Sequence, residues 1–432
     1  MEKPFQFAYG KGVETISLPE EHIGEILEGN PAPAVDVEAA TLHAMRHPIG
    51  TKPLTELVHT GDKVCIVCAD VTRTWNRSRE FVVHIVNELN RGGVPDGDIS
   101  IVFAQGTHRA QTREEDIQVV GEDVARRIRL YQHDCRDKDN LVHLGTTTLG
   151  TPVDLDRRVV EADRVILVNG VSTHIFAGYG GGRKLILPGV AGWDSIQKNH
   201  CHALSDEFGG GINPATRTTV LAGNIVSDDM QEACDMVAPC FLVHSVVNAD
   251  GAICAMVAGD PHEAWLEGTK EVYRVQHVPF HKKADVTIVS AGGYPKDTNL
   301  YQGSKCHNPA AAVTKDGGII IVLAECPELM DPPEFMGSFH YQTEADMERD
   351  LRACFTIPFF AAFNLFCLAH RYTIYQVTRK ENFEEVRKTG QIPVETLGEA
   401  WKIARETLAK EGKTDYKVNI LPHGGSIVPG EV

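Results

Sequence analysis

Arg73 in "DVTR" (70–73), His108 in "GTHR" (106–109), His174 and Lys184 in "STHIFAGYGGGRKLILPGVAG" (172–192), and His200 in "KNHCHAL" (198–204) are of types that hold an anion, move a proton or bind a metal, and little other charge surrounds Lys184 in the chain. Imidazole titrates near neutral pH, so His108 and His174, each just past a strand-like run, suit a reaction that needs an acid and a base. A histidine standing alone is more often a structural residue, so the pairing is what favours chemistry. Lys184 follows Gly178, Gly180, Gly181, Gly182 and Arg183 and precedes the apolar "LILPGVAG". Such a lysine serves as a phosphate partner, a catalytic amine or a covalent anchor. A surface lysine is the bland alternative, and the apolar run weighs against it, because desolvation lowers the amine's pKa and makes it nucleophilic.

The glycines allow backbone to approach a ligand closely or to hold an anion on N–H groups; a tight turn with no ligand is the alternative. A nucleotide loop of the Walker type needs glycine immediately before the lysine and a hydroxyl immediately after it. Arg183 and Leu185 occupy those places. A dinucleotide fingerprint is also missing, because the first strand runs into "ADVTRTWNRS" rather than G-x-G-x-x-G. His200, Cys201 and His202 lack the separated pairs of a closed zinc site. One of these histidines still suits a metal whose other ligands come from a cofactor.

These residues need elements to position them. "DKVCIVCAD" (62–70), "DISIVFAQGTH" (98–108) and "DRVILVNG" (163–170) read as buried strands. Between the first two, Ser78 is expected to cap a helix whose apolar positions Phe81, Val82, Ile85, Val86 and Leu89 follow the 3.6 period, with Gly92 and Gly93 ending it. Strand–helix–strand alternation predicts parallel sheets. Ligands of such sheets bind beyond the carboxyl ends of the strands. Asp70 with Arg73, Thr107 with His108, and Ser172 with His174 stand at three such ends.

A hairpin is expected over 241–259, turning at Asp250–Gly251, then a helix toward a boundary near 278–283. A second unit follows, with strands at 284–293 and 317–325, a helix through Leu300 to Val313, and a late helix at 393–412. The expected architecture is two α/β domains with mainly parallel sheets and an interdomain active-site cleft. Residues 1–280 form the catalytic and cofactor domain, 281–415 the substrate-cleft domain, and 416–432 a tail returning to pair with the first domain. "GGYPKDTNLYQ" (292–302) offers Tyr294, Lys296, Asp297 and Asn299 to that cleft; the alternative is that they start the next helix, with Asp297 or Thr298 as cap.

The chain of 432 residues has a net charge of −17, which opposes a nucleic-acid or anionic-membrane surface, since both demand a basic footprint. Its longest apolar stretch, 357–369, is too short to span a bilayer. No signal sequence is read at the start, so a cytoplasmic location is expected. Eleven scattered cysteines fit reduced thiols. Cys65 and Cys68, three apart on a strand, point to opposite faces and are expected in the core.

"DVTR", "GTHR", the 172–192 run and "NH" (199–200) closely resemble the nickel-dependent lactate racemase family of 2-hydroxyacid racemases and epimerases. "FAYGKGVETISLPE" (7–20), "GGYPKDTNLYQ" and "LPHGGSIVPG" (421–430) are similar to it too, so the resemblance spans nearly the whole chain. It implies a nickel-pincer nucleotide, a pyridinium-3-thioamide-5-thiocarboxylic acid mononucleotide carrying nickel, supplied by cofactor-synthesis proteins. By matched motif, Lys184 is the covalent attachment point, His200 the nickel ligand, and His108 and His174 the acid/base pair. Asp70, Gly180, Gly181, Gly182, Arg183 and Tyr294 fall to the cofactor, and Arg73, Lys296 and Asn299 to the substrate. The implied reaction moves hydride from C2 to the cofactor and back through a 2-keto acid. The bulky "FTIPFFAAFNLF" (355–366) raises the expectation of a substrate larger than lactate: an aromatic hydroxyacid, a malate-like diacid or a sugar acid. The alternatives are a nicotinamide-dependent hydroxyacid dehydrogenase and a non-catalytic nickel or cofactor carrier.

Overall fold

A computed structural model describes residues 1–432. Its elements are, in chain order, β1 (Glu2–Tyr9), β2 (Gly12–Pro19), β3 (Ile23–Ile26), α1 (Val37–Arg46), β4 (Val64–Ala69), α2 (Val82–Arg91), β5 (Ile99–Ala104), β6 (Arg129–Gln132), β7 (Arg164–Val171), α3 (Trp193–Cys201), α4 (Ile225–Val237), β8 (Phe241–Val247), β9 (Ile253–Gly259), α5 (Glu263–Gln276), β10 (Ala284–Ser290), β11 (Thr314–Leu323), α6 (Ile357–Arg371), β12 (Thr373–Val377), β13 (Ile392–Val394), α7 (Leu397–Lys410) and β14 (Val418–Leu421), joined by shorter pieces. The chain divides into two compact units, one of residues 31–206 and 212–275, the other of residues 1–30, 207–211 and 276–432.

The 31–275 unit is built on a six-stranded sheet of order β9-β8-β7-β4-β5-β6, parallel except for the β8–β9 hairpin. β4 is a continuous apolar run buried at every position, as a strand covered on both faces requires. Cys65 and Cys68 are both buried free thiols there. α2 presents Val82, Ile85, Val86 and Leu89 at helical spacing, all fully buried. Each such side chain contributes about 1.5–3 kcal/mol on burial. Its start differs from expectation: Ser78 caps nothing, because its hydroxyl donates to Val119 O and Phe81 precedes the first helical residue. Gly92 follows the last helical residue.

The sheet of the other unit has order β13-β12-β11-β10-β14-β3 and is parallel throughout. Two expectations fail here. The first thirty residues belong with this sheet, since β3 pairs with β14, rather than with a domain of residues 1–280. The expected returning tail does pair with segments inside 1–280, β14 with β3 and residues 428–431 with 277–280, but these belong to its own unit, so it does not join the 31–275 sheet. Strand periodicity predicts that a strand exists but not its neighbour, and both segments are too short to carry that information. The Leu300–Val313 helix is also broken into short turns at 300–303, 304–306 and 307–312.

Phe355, Phe360, Phe363 and Phe366 are core side chains, and α6 packs on neighbouring elements of its own unit, including β12. Their bulk therefore fills a hydrophobic interior and does not report on substrate size. No helix is long and apolar enough to cross a membrane.

Candidate active site

In the 31–275 unit the strand order reverses between β4 and β7, because β5 and β6 lie on one side of β4 and β7 on the other. Such a reversal opens a crevice at the carboxyl ends of the two strands. Asp70 follows β4, His174 follows β7, and His108 follows neighbouring β5. A shallow cleft lined by Lys63, Asp98 and Arg129 lies at the opposite, amino-terminal edge, away from these groups.

Asp70 is buried, and its carboxylate accepts from His108 Nδ1 at 2.8 Å and from Thr72 Oγ1 at 2.7 Å. The carboxylate fixes the proton on Nδ1 and leaves Nε2 as the basic nitrogen of a side chain 35 % exposed. Arg73 donates Nη1 to Thr72 Oγ1 at 2.8 Å and pairs with no carboxylate.

His174 shows the complementary arrangement. Ala177 N–H donates to His174 Nδ1 at 3.2 Å, so the neutral ring carries its proton on Nε2. That nitrogen lies 3.1 Å from Lys184 Nζ. An N–H facing an ammonium is repulsive, so the pair assigns Lys184 as a neutral amine whose lone pair accepts from His174. The electrostatics agree. Burial first, then the charges of Arg73 and Arg183, hold the Lys184 amine well below the ordinary lysine value. Burial and Lys184 likewise hold His174 and His200 well below the usual imidazole range. The two histidines thus differ: one offers a lone pair, the other an N–H.

Phe176 joins the second group. Its buried ring meets His174 edge-on at 4.6 Å between centroids and His200 at 5.1 Å, and Lys184 Nζ lies 5.4 Å from its centre. His200 Nδ1 donates to Asn199 Oδ1 at 3.1 Å, which puts the lone pair of the neutral ring on Nε2. Asn199 Nδ2 in turn donates to Asp229 Oδ2 at 2.8 Å, and Asp229 also accepts from Thr147 and Thr151. No cluster of three or more His, Cys, Asp or Glu capable of holding a metal exists. The groups around His108 and Lys184 are tied together, because Gly106 N–H donates to Gly189 O at 2.8 Å and Gly189 N–H to Lys184 O at 3.0 Å.

The glycine run works differently from the sequence reading. Gly181 and Gly182 have positive φ, and a Cβ on Gly181 would sit 2.8 Å from Gly170 O, one on Gly182 2.7 Å from the Trp265 ring. Their freedom is used against protein. The N–H groups are engaged too: Gly180 donates to Ser172 O at 2.7 Å and Gly182 to His244 Nε2 at 2.7 Å. Burial pushes the His244 imidazole down to about 4, which keeps it neutral and able to accept. Trp265 Nε1 donates to Gly180 O at 2.9 Å and lies under the Arg183 guanidinium, which bonds Ser227 and Ala177 O but no acid. Arg183 Nη1 has no partner at all.

Tyr294, Lys296 and Asn299 belong to the other unit. Asn299, rather than Asp297 or Thr298, is the helix cap, accepting from Gln302 N–H at 2.8 Å. Lys296 Nζ donates to Ser426 Oγ at 2.9 Å, and Tyr294, 58 % exposed, has Lys11 Nζ 5.2 Å from its ring centre. Asp297 is fully buried and accepts from Gly10 N–H at 2.7 Å.

Sequence reasoning missed Phe176, Asn199, His244 and Trp265. His244 carried a signal, since a histidine within the apolar run "FLVHSVV" must be buried and must find a partner. Trp265 on an amphipathic helix carried none.

Two family models match the chain, the lactate racemase N-terminal domain over residues 9–210 and the lactate racemase C-terminal domain over residues 280–429. The lactate racemase of Thermoanaerobacterium thermosaccharolyticum is 31 % identical over 99 % of both chains, and that of Lactiplantibacillus plantarum 30 % identical over 89 % of both. The solved lactate racemase apoprotein from T. thermosaccharolyticum superposes with a TM-score of 0.88, covering 99 % of this chain and 100 % of that one. A Thermotoga maritima structure, 16 % identical with a TM-score of 0.62 and covering 88 % of this chain and 96 % of that one, shares the fold. By its sequence over nearly its full length, the chain belongs to the lactate racemase family.

Proposed function

We propose that the protein racemises a 2-hydroxyacid of lactate type, inverting C2 through the 2-keto acid, with a nickel-pincer nucleotide anchored on Lys184. The observation that carries this reading is Lys184 Nζ standing 3.1 Å from His174 Nε2, an arrangement that suits a neutral amine. An amine with a lone pair is what covalent attachment needs. The donor set fits the rest of that group: His200 offers a single oriented imidazole, and the absence of a three-ligand protein cluster suits a metal that brings most of its own ligands. When bound, the group supplies a hydride acceptor, so no carbanion forms beside the substrate carboxylate.

The chain's own residues do the remaining work. Arg73, free of any acid partner, receives the substrate carboxylate on its planar fork. His108 Nε2 takes the hydroxyl proton, and buried Asp70 steadies the imidazolium that results. His174 serves the opposite enantiomer. Buried Phe176 packs its ring edge-on against His174 and His200 and so holds both imidazoles in place. The aromatic run being core, lactate itself is the first substrate to test.

Protein matured with its cofactor-synthesis partners, assayed by chiral chromatography, should interconvert both lactate enantiomers and carry a mass adduct on Lys184. Substrate deuterated at C2 should keep its label through inversion. Solvent deuterium entering C2 at the pace of inversion overturns the hydride route.

A further inference from the structure

Before any cofactor is attached, Lys184 stands among groups that attract and activate a small anionic carbonyl compound. The amine keeps a lone pair, which accepts from His174 Nε2–H and is released as that N–H turns to an incoming carbonyl oxygen. Lys184 and His174 both retain some solvent exposure. Arg73 makes no ion pair, its side-chain bonds all going to Thr72. Arg183 likewise bonds Ser227 and Ala177 O, with Nη1 unpartnered. Lys184 bonds His174 and forms no ion pair with a carboxylate. Positive charge without counter-charge in a partly desolvated crevice favours anions.

We propose that Lys184 of the unloaded protein is a modification site for 2-oxo acids, which it captures reversibly as an imine. The Nζ lone pair forms a bond to the carbonyl carbon, and the C=O π pair moves to oxygen, which takes a proton relayed by His174. Nitrogen gives up a proton to the same imidazole. The C–O bond then breaks as the imidazole protonates the hydroxyl, which leaves as water, and nitrogen returns its remaining proton to the imidazole as C=N forms. Amine plus oxo acid becomes imine plus water, with no change of oxidation state. Arg73 holds the carboxylate meanwhile. The consequence is regulatory: an oxo acid occupying Lys184 blocks attachment of anything else there. This inference shares Lys184, His174 and Arg73 with the reading above but concerns the unloaded chain.

The test uses full-length protein made without cofactor-synthesis partners, incubated with pyruvate and cyanoborohydride, then mapped by peptide mass spectrometry. The expected result is saturable labelling of Lys184 well ahead of every surface lysine, by about tenfold or more. With acetaldehyde, which lacks the carboxylate, that preference should collapse. His174→Gln should slow labelling of Lys184 about tenfold or more without changing the surface lysines, and Arg73→Gln should raise the half-saturating pyruvate concentration. Labelling that follows surface exposure, or an equal preference with acetaldehyde, overturns the proposal. Racemisation by matured enzyme with no adduct on the unloaded chain removes this inference alone; an adduct without racemisation removes the functional reading alone.

Discussion

The two units carry the same device, a six-stranded sheet with mainly parallel strands and a reversal of strand order, yet their carboxyl edges differ in what is left unsatisfied. At the edge of the 276–432 unit, Glu325 after β11 pairs with Arg379 after β12 at 2.9 Å, and Lys296 after β10 bonds Ser426 beyond β14. Neighbouring strand ends bond one another there, once as an ion pair. At the edge of the 31–275 unit, two guanidinium groups, an amine and three imidazoles gather with one carboxylate, Asp70, and that carboxylate is committed to His108 and Thr72. Topology creates a crevice in both. The absence of internal partners is what leaves one of them reactive.

The contrast breaks most sharply at Lys184. Lys184→Ala should abolish racemisation by matured enzyme and leave no covalent adduct, read by chiral assay and intact mass. His108→Ala and His174→Ala should each lower kcat about 10²–10⁴-fold. Asp70→Asn, which disturbs the tautomer of His108 without removing it, should cost about 100-fold in kcat with KM little changed. Asn199→Ala loosens the partner that orients His200, and metal analysis after dialysis should show affinity reduced about 10- to 100-fold.

A stability measurement sharpens the same comparison. The folded Lys184 amine binds fewer protons than the unfolded one between its lowered value and the ordinary 10.5, so native stability rises with pH across that window and falls as pH drops through it. Lys184→Met should therefore melt above the parent at neutral pH, with the advantage vanishing near pH 10.5. In the satisfied edge of the other unit, Glu325→Gln breaks a partly exposed pair and should shift stability by less than about 1 kcal/mol with activity unchanged.

The parallel sheet of the 31–275 unit was legible because β4, β5 and β7 are dense apolar runs, and α2 because Val82, Ile85, Val86 and Leu89 keep one period. The strand ends then pointed to Asp70, His108 and His174 by the general rule for such sheets. What composition hid were relations across long stretches of chain. Gly181 needs to be small because of His244 and Gly170 O, neighbours from distant parts of the chain. Phe355 to Phe366 looked like a bulky binding wall and is interior packing. Asn299 looked like a substrate contact and serves as a helix cap, a local competition between side chain and backbone that sequence leaves undecided.

β3, made among the first twenty-six residues, is hydrogen-bonded only to β14, which ends at Leu421. A ribosome therefore releases that strand nearly four hundred residues before its mate exists, while every strand of the 31–275 sheet has emerged by Gly259. The order of synthesis should let the 31–275 unit fold first, and leave the amino terminus waiting for nascent chain still to come.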